Sequence, residues 1–555
     1  MMACKYAFMG EDKVKRKKSP HGYSLQLSDA KERDQMVTVG DVWRLAVSGD
    51  TIFASPQLKL KDLCLSFALY KLLRRRFEEY YPSAEARSSE SLDFLLCGML
   101  GDDKDISPRD SRLPKEHKGE RVFRVVEDEF SFLSDYYYST IRVTLPNLWF
   151  FLLNCVLTLV ILFFCCVDIP IYIVIQHYGV LGCLFNKQDC SQNMPTKYDL
   201  IITLLLIATL FLLEFAEAVA YMLSDWVMVS LLCTYVKKPS WQRSATVRWA
   251  LTTLRRVKTC LKRPDLKFNQ HSVLERRGCT LRIFSQLMLH HRFLKVRLML
   301  LKPVLCRRFL GVQSTPIPKE VKEAIVKYLI ENRGRCPALL IRDSVLGQNG
   351  AAGEELLQAC KSNGAAETII VWHVATCLYE MKHPSQQQPR QSDEHDTQAN
   401  RRIAETLSKY CAYLVALAPE LLPDDAAATT TAYKAAVKEI QKAILKLCDH
   451  KVDNFERVTS IKNANGTAAE RGAELGHQLV AVRDERLVWK VLAERWTEIV
   501  VYIAPSDDVQ SHAPLANGSE FITHIWALLT HGGILRWPTA DENAPPPSAA
   551  DQSPV

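Results

Sequence analysis

Leu145–Val167 reads LPNLWFFLLNCVLTLVILFFCCV, twenty-three residues without a charge. About twenty apolar residues on a helix cross a ~30 Å hydrocarbon core, so this run is long enough to span one. Trp149 lies near one end and Tyr172 beyond the other, where aromatic rings favour the interface. Asp168 and Pro170 close the run. A second apolar run opens after Pro195 and Asp199. Leu200 to Leu213 is uncharged, Glu214 and Glu217 interrupt it, and it resumes through Leu223. A third apolar stretch, Trp226 to Val236, follows directly. The reading is a transmembrane hairpin within residues 141–236, with spans at about 145–167 and 200–223.

Charge sets the expected sidedness. The connecting loop, Gln176 to Asp199, holds only Lys187 and Lys197 as basic residues. From Lys237 to Arg308 there are nineteen Lys and Arg against Asp265 and Glu275. The positive-inside rule then puts both termini in the cytosol and the loop outside or in a lumen. In that loop Cys183 and Cys190, seven apart, are candidates for a disulfide. The sequons at Asn465 and Asn517 fall on the cytosolic side and are expected to stay unmodified. No two of the seventeen cysteines have C-x-x-C spacing, and most sit in apolar runs, as buried thiols in a reducing compartment do. The first twenty residues lack an apolar h-region, so no cleavable signal peptide is expected.

On either side of the hairpin the pattern is helical. Residues 1–36 are polar and read as disordered, and Val37 to Leu45 reads as a short turn or strand opening a helical region over 37–140. Leu60, Leu63, Phe67, Tyr70, Leu73 and Phe77 recur every three or four residues, as on one face of a helix. Val122, Phe123, Val126, Phe130, Leu133 and Tyr137 do the same. Residues 237–315 read as basic amphipathic juxtamembrane helices, with candidates at Ala245 to Leu261 and Leu281 to Leu301. Residues 316–536 read as a C-terminal helical domain. It carries helices at Glu367 to Lys382, Arg401 to Leu417, Thr431 to Cys448, Val482 to Ala504 and Glu520 to His531. A Gln- and Pro-rich linker is expected at 383–400, a low-complexity loop at Pro423 to Ala432, and a disordered tail at 537–555. The fold class is therefore mainly α: a membrane hairpin with helical cytosolic flanks and a C-terminal helical domain.

Several separated motifs resemble a known pairing of domains. Leu60 to Phe77 (LKDLCLSFALYKLLRRRF) and Ser224 to Cys233 (SDWVMVSLLC) resemble the plant membrane proteins catalogued as domain of unknown function 4220. Val371 to Thr376 (VWHVAT), Leu407 to Pro423 and the run from Trp496 to His531 resemble the companion domain of unknown function 594. The resemblance covers roughly residues 37 to 536 and implies a plant membrane protein with no established activity. Two features depart from the family pattern. Members usually carry further membrane spans ahead of the Leu60 motif, so this chain reads as a truncated or incomplete copy. A paired glycine before the final glutamate is Gly518-Ser519 here.

The candidate sites are few. Glu214 and Glu217, at i and i+3, share a helix face and are the intramembrane acidic candidates. A helix entering at Leu200 has risen ~21 Å by Glu214. Lys237, Lys238, Arg243, Arg248, Arg255 and Arg256 are the candidates for facing anionic inner-leaflet lipids, and no motif points to nucleic acid. His512, Glu520, His524 and His531 carry the donor types a metal needs, but their spacing matches no metal motif and Phe521 and Trp526 suggest a packed face. His373 beside Trp372 reads as a hydrogen-bonded core histidine. No catalytic residue and no cofactor are assigned. The leading expectation is a membrane-anchored scaffold or interaction protein with protein partners the sequence does not identify. A channel or transporter subunit using Glu214 and Glu217 is the second, and a tethered metal-dependent enzyme the third.

Overall fold

The computed structural model describes residues 17–19, 22–24, 37–55, 58–77, 118–138, 197–260, 266–274, 312–331, 364–384, 392–446, 466–506 and 520–532, with a few isolated positions between them. Two three-residue strands, β1 (Lys17–Ser19) and β2 (Gly22–Ser24), pair antiparallel inside the segment expected to be disordered. The expected turn or strand after Val37 is a helix, α1 (Val39–Val47). Its start is a reciprocal cap. Thr38 Oγ1 accepts from the Asp41 amide at 3.2 Å, and Asp41 Oδ2 accepts from the Thr38 amide at 2.7 Å.

The period-3.6 segments form α2 (Leu60–Phe77) and α3 (Lys118–Tyr138), which pack against each other. Asp62, nearly buried, receives Arg121 at 2.9 Å and Arg124 at 2.7 Å. Burial pushes the Asp62 carboxyl up, and the two guanidiniums overcome it and hold it below the usual carboxylate range. Helix α4 (Lys197–Met222) follows, and then α5 (Asp225–Lys237), capped by the Ser224 hydroxyl. Trp226 of α5 sits edge-on to Phe67, Tyr70 and Phe132 at 5.3 to 5.6 Å between ring centres, which ties α5 to α2 and α3. Next come the short α6 (Pro239–Arg243) and the basic α7 (Ala245–Cys260).

A second antiparallel ribbon, β3 (Lys267–Gln270) with β4 (Gln313–Pro316), leads to α8 (Lys319–Glu331). The C-terminal half contains α9 (Ala365–Lys382), α10 (Ser392–Leu417), a 3-10 turn at Pro419–Leu421, α11 (Ala426–Lys446), α12 (Ala468–Ala481), α13 (Glu485–Ile503) and α14 (Phe521–His531). Two expected loops are helical. The linker at 383–400 gives way to α10 from Ser392, where Asp393, Glu394 and Asp396 suit the positive end of a helix. The alanine-rich loop is, from Ala426 on, the first two turns of α11, with Asp425 Oδ2 accepting from the Ala428 amide at 2.8 Å. Neighbouring Asp424 accepts from the Ala366 amide at 2.7 Å and so serves the start of α9. Helix α12, unforeseen, lies along α9. A Cβ on Gly472 would stand 2.9 Å from the Val371 carbonyl, and one on Gly476 2.7 Å from Leu378, so these glycines permit the close approach.

One hydrophobic cluster runs through all of this, from Val37 to Leu529. The boundary drawn at residue 315 therefore does not divide the core. Helix α14 lies against α2 and α3, more than 380 residues away in sequence. Phe123 stacks on Phe521 at 5.3 Å, and Phe77 meets Trp526 edge-on at 5.8 Å.

The described residues do not show the expected transmembrane hairpin. Among the described residues no helix is long and apolar enough to cross a membrane. The span at 145–167 lies outside the described residues, apart from Val156, Leu157, Val160, Phe163 and Val167, which are helical and exposed. The span at 200–223 falls on α4, where Glu214 and Glu217 interrupt the apolar run.

Candidate functional site

One set of buried polar groups, Glu129, Glu520, Thr523 and His524, lies along the seam between α14 and the rest of the body. Tyr413, on α10, donates to Glu520 Oε1 at 2.8 Å and accepts from Asn269 Nδ2 of β3 at 3.2 Å. Glu520 occupies the N-cap position of α14 but gives its side chain to Tyr413. The Tyr410 hydroxyl instead accepts from the Ile522 amide at 2.8 Å, which satisfies one of the open donors of that helix start. His524 Nδ1 donates to the Glu520 carbonyl at 3.0 Å, and its ring lies 4.9 Å from Phe130. Its Nε2 is buried without a hydrogen-bond partner among the described residues. Burial drives this imidazole down to about 4, against the pull of the Glu520 carbonyl and helped by Lys322, so it is neutral at physiological pH.

His531 ends the helix and meets Glu129 of α3, Nε2 to Oε1, at 2.7 Å. The two side chains are 3% and 0% exposed, so this pair is sealed between segments 402 residues apart. Burial pushes the Glu129 carboxyl up, and His531 pulls against that shift.

A second buried histidine stands deeper. The Val273 amide donates to His373 Nε2 at 3.1 Å, so that nitrogen is the acceptor and Nδ1 carries the proton toward Ser408 Oγ at 2.8 Å. Burial, with the nearby charges of His271 and Lys409, lowers this imidazole to about 3, although a hydrogen bond to the Ser408 backbone raises it. Cys377 Sγ lies 3.7 Å and 3.9 Å from the two ring nitrogens. Since both nitrogens have other partners, this is not the thiolate–imidazolium geometry of a nucleophile. The core reading of His373 and Trp372 matches the structure: both are fully buried.

The metal candidates are thus divided among separate contacts. Glu520 turns to Tyr413, His524 to its own helix and His531 to Glu129, while His512 lies outside the described residues. Among the described residues no group of three or more His, Cys, Asp or Glu is placed to hold a metal. Cys183 and Cys190 lie outside the described residues, as do the side chains of Glu214 and Glu217, whose backbone belongs to α4.

The basic candidates separate into two groups. Lys237, Lys238, Arg243 and Arg256 are exposed, and Arg248 is half-buried. Arg255 is turned inward. Its Nε donates to the Leu58 carbonyl at 3.0 Å and its Nη1 to Asp225 Oδ1 at 3.4 Å. Lys258 reaches the other oxygen of Asp225 at 2.6 Å. The expectation that Arg255 faces lipid is corrected accordingly: a buried carboxylate at the head of α5 claims it.

The last feature is apolar. Of the twenty large hydrophobic side chains that stand open among the described residues, fourteen fall between Val156 and Met222, and nine of those are on α4. No sequence motif for catalysis coincides with any of these features.

Residues 1–276 match the family model described as domain of unknown function (DUF4220), and residues 482–534 match the one described as protein of unknown function, DUF594. The chain thus carries a DUF4220 match over its first half and a DUF594 match near its C-terminus. No curated protein and no solved structure matches it. In structural terms the seam just described is where the two families meet. Helix α14 of the DUF594 segment is held by α2 and α3 of the DUF4220 segment, through Phe521, Trp526 and the Glu129–His531 pair.

Proposed function

We propose that this DUF4220–DUF594 protein is a membrane-anchored interaction protein whose residues 139–224 enter the bilayer from a single cytosolic body. The observation that carries this reading is the uncovered apolar surface of that segment. Nine large side chains on α4 are 39–65% exposed. Covering what is open releases on the order of 10 kcal/mol at ~25 cal/mol per Å2, as large as the whole stability margin of an ordinary domain. A soluble monomer rarely leaves such a face to water. The charge-free run at 145–167 belongs to the same segment.

Packing supports the expected sidedness. Helix α3 ends at Tyr138, and α5 begins at Asp225; both belong to the same core, with Trp226 against Phe132 at 5.6 Å. The chain therefore leaves the body and returns to it on one side, which requires an even number of crossings or a segment that dips and comes back. The cationic stretch after Lys237 favours the cytosolic side for the body.

Alkaline carbonate extraction of membranes carrying the full-length protein tests the anchoring. Retention in the pellet is expected. Release into the supernatant, with the protein still folded, rejects the reading.

A further inference from the structure

Helix α7 has two faces. Its inward face is fixed: Leu251 is buried, and Arg255 and Lys258 both engage Asp225. Its outward face carries Trp249, 71% exposed, with Arg256 and Val257 seven and eight residues on and therefore on the same side of the helix. Among the described residues nothing covers this indole, although a half-apolar, half-polar ring of that size gains most at a boundary between oil and water.

The charge around it is of one sign. Lys237, Lys238, Arg243 and Arg256 are exposed, and Lys238 lies over the Trp241 ring at 5.8 Å. From Trp226 to Pro264 the sequence contains no Asp or Glu. The nearest carboxylate before that stretch, Asp225, is buried and already occupied by Arg255 and Lys258. The 39-residue stretch itself therefore supplies no counter-charge to its exposed cations.

We propose that the outward face of α7, Trp249 with Arg256 and Val257, lies in the headgroup layer of an anionic membrane, with Lys237, Lys238 and Arg243 beside it. This inference rests on the anchoring of residues 139–224, because only α5 and α6 separate α7 from the apolar α4. The same continuity favours a lipid surface over nucleic acid. Val257 offers nothing to a phosphate backbone, whereas beside Trp249 it suits the upper acyl chains. The Asp225 clamp holds the helix at a fixed angle to the body, so the body's orientation on the membrane follows from this face.

The test uses full-length protein in phosphatidylcholine vesicles with and without phosphatidylserine. Subtracting the emission of Trp249→Phe isolates the Trp249 signal. In anionic vesicles that signal is expected to be blue-shifted and quenched by lipids brominated near the headgroup end of the chain. Most of the quenching is expected to be lost in Arg256→Glu, whose side chain is exposed and whose fold circular dichroism checks. Water-like emission, open to aqueous iodide equally in both vesicle types, overturns the inference. So does protection of Trp249 by polyuridylate when vesicles give none. If carbonate strips the wild-type protein from membranes, the anchoring itself has failed; retention with a water-exposed Trp249 rejects only the placement of α7.

Discussion

Helices α4 and α14 are both built almost wholly from large apolar residues, IITLLLIATLFLL in one and FITHIWALL in the other, and the fold treats them in opposite ways. Every residue of α14 from Phe521 to Leu529 is buried. The described side chains of α4 from Ile202 to Ala220 are all exposed. The difference lies in what each helix brings besides hydrophobicity. Helix α14 carries polar groups with defined partners: Trp526 Nε1 donates to the Ser506 carbonyl at 3.0 Å, and His531 reaches Glu129. These groups fix one docking pose. Ahead of Glu214, helix α4 carries an apolar run without a charge, which suits a fluid apolar surrounding as well as a protein one. Composition says that a helix must be covered, and directional groups say by what.

Mutations can break or sharpen that contrast. The largest effect is expected at Trp526→Ala, which empties a fully buried indole site between α14 and α2. It should cost about 3–5 kcal/mol in unfolding of the detergent-solubilised protein. Next is His531→Ala, which leaves the Glu129 carboxylate sealed and unpaired at a cost of about 3 kcal/mol. Glu129→Gln retains a hydrogen-bonding group of the same shape and should cost clearly less. Equal losses would mean that the pair is not the docking element. Gly472→Ala pushes a methyl against the Val371 carbonyl and is expected to cost about 1–3 kcal/mol by separating α12 from α9.

Acid should act on two buried histidines, His524 at the seam and His373 on α9. His373 and His524 are held neutral in the fold, down to about 3 and about 4, whereas unfolded histidines take up protons near 6.5. The unfolded chain therefore binds more protons below pH 6.5. Stability is fully present above that value and falls as pH drops toward 4, by about 1.4 kcal/mol per pH unit for each histidine. Glu129, raised by burial, works in the opposite direction and softens the slope. Unfolding transitions followed across this range should show the decline, and a flat profile would contradict the buried neutral assignment. The smallest effect is expected on the other side of the comparison. Leu206→Ala on α4, where the side chain is 65% exposed, should change the unfolding of the body by less than about 0.5 kcal/mol.

Much of the helical framework was legible in the sequence. Leu60–Phe77 and Phe521–His531 follow directly from apolar spacing, because a core-facing helix must repeat near 3.6 residues. Val37 to Leu45 was misread because Val37, Val39 and Val42 look strand-like, although Thr38 and Asp41 at i and i+3 already spell a capping box. The alanine-rich stretch after Asp425 looked like low complexity, yet alanine is the best helix former and Asp425 supplies the cap. Gly472 and Gly476, four apart, carried the signal for α12 that went unread. The seam itself could not be read. Glu129 and His531 are separated by 402 residues, and a pairing at that distance leaves no periodic trace in the chain. The inward turn of Arg255 was hidden for the same reason, since its partner Asp225 lies 30 residues away on another helix.

The most direct measurement is protease protection in sealed vesicles displaying their cytosolic face, with one tag at each terminus and a third in the loop at 176–199. One body with an even number of crossings predicts that both terminal tags are removed together while the loop tag survives. Protection of either terminus alone would contradict it, because α3 and α14 could not then be packed against each other on the same side of the membrane.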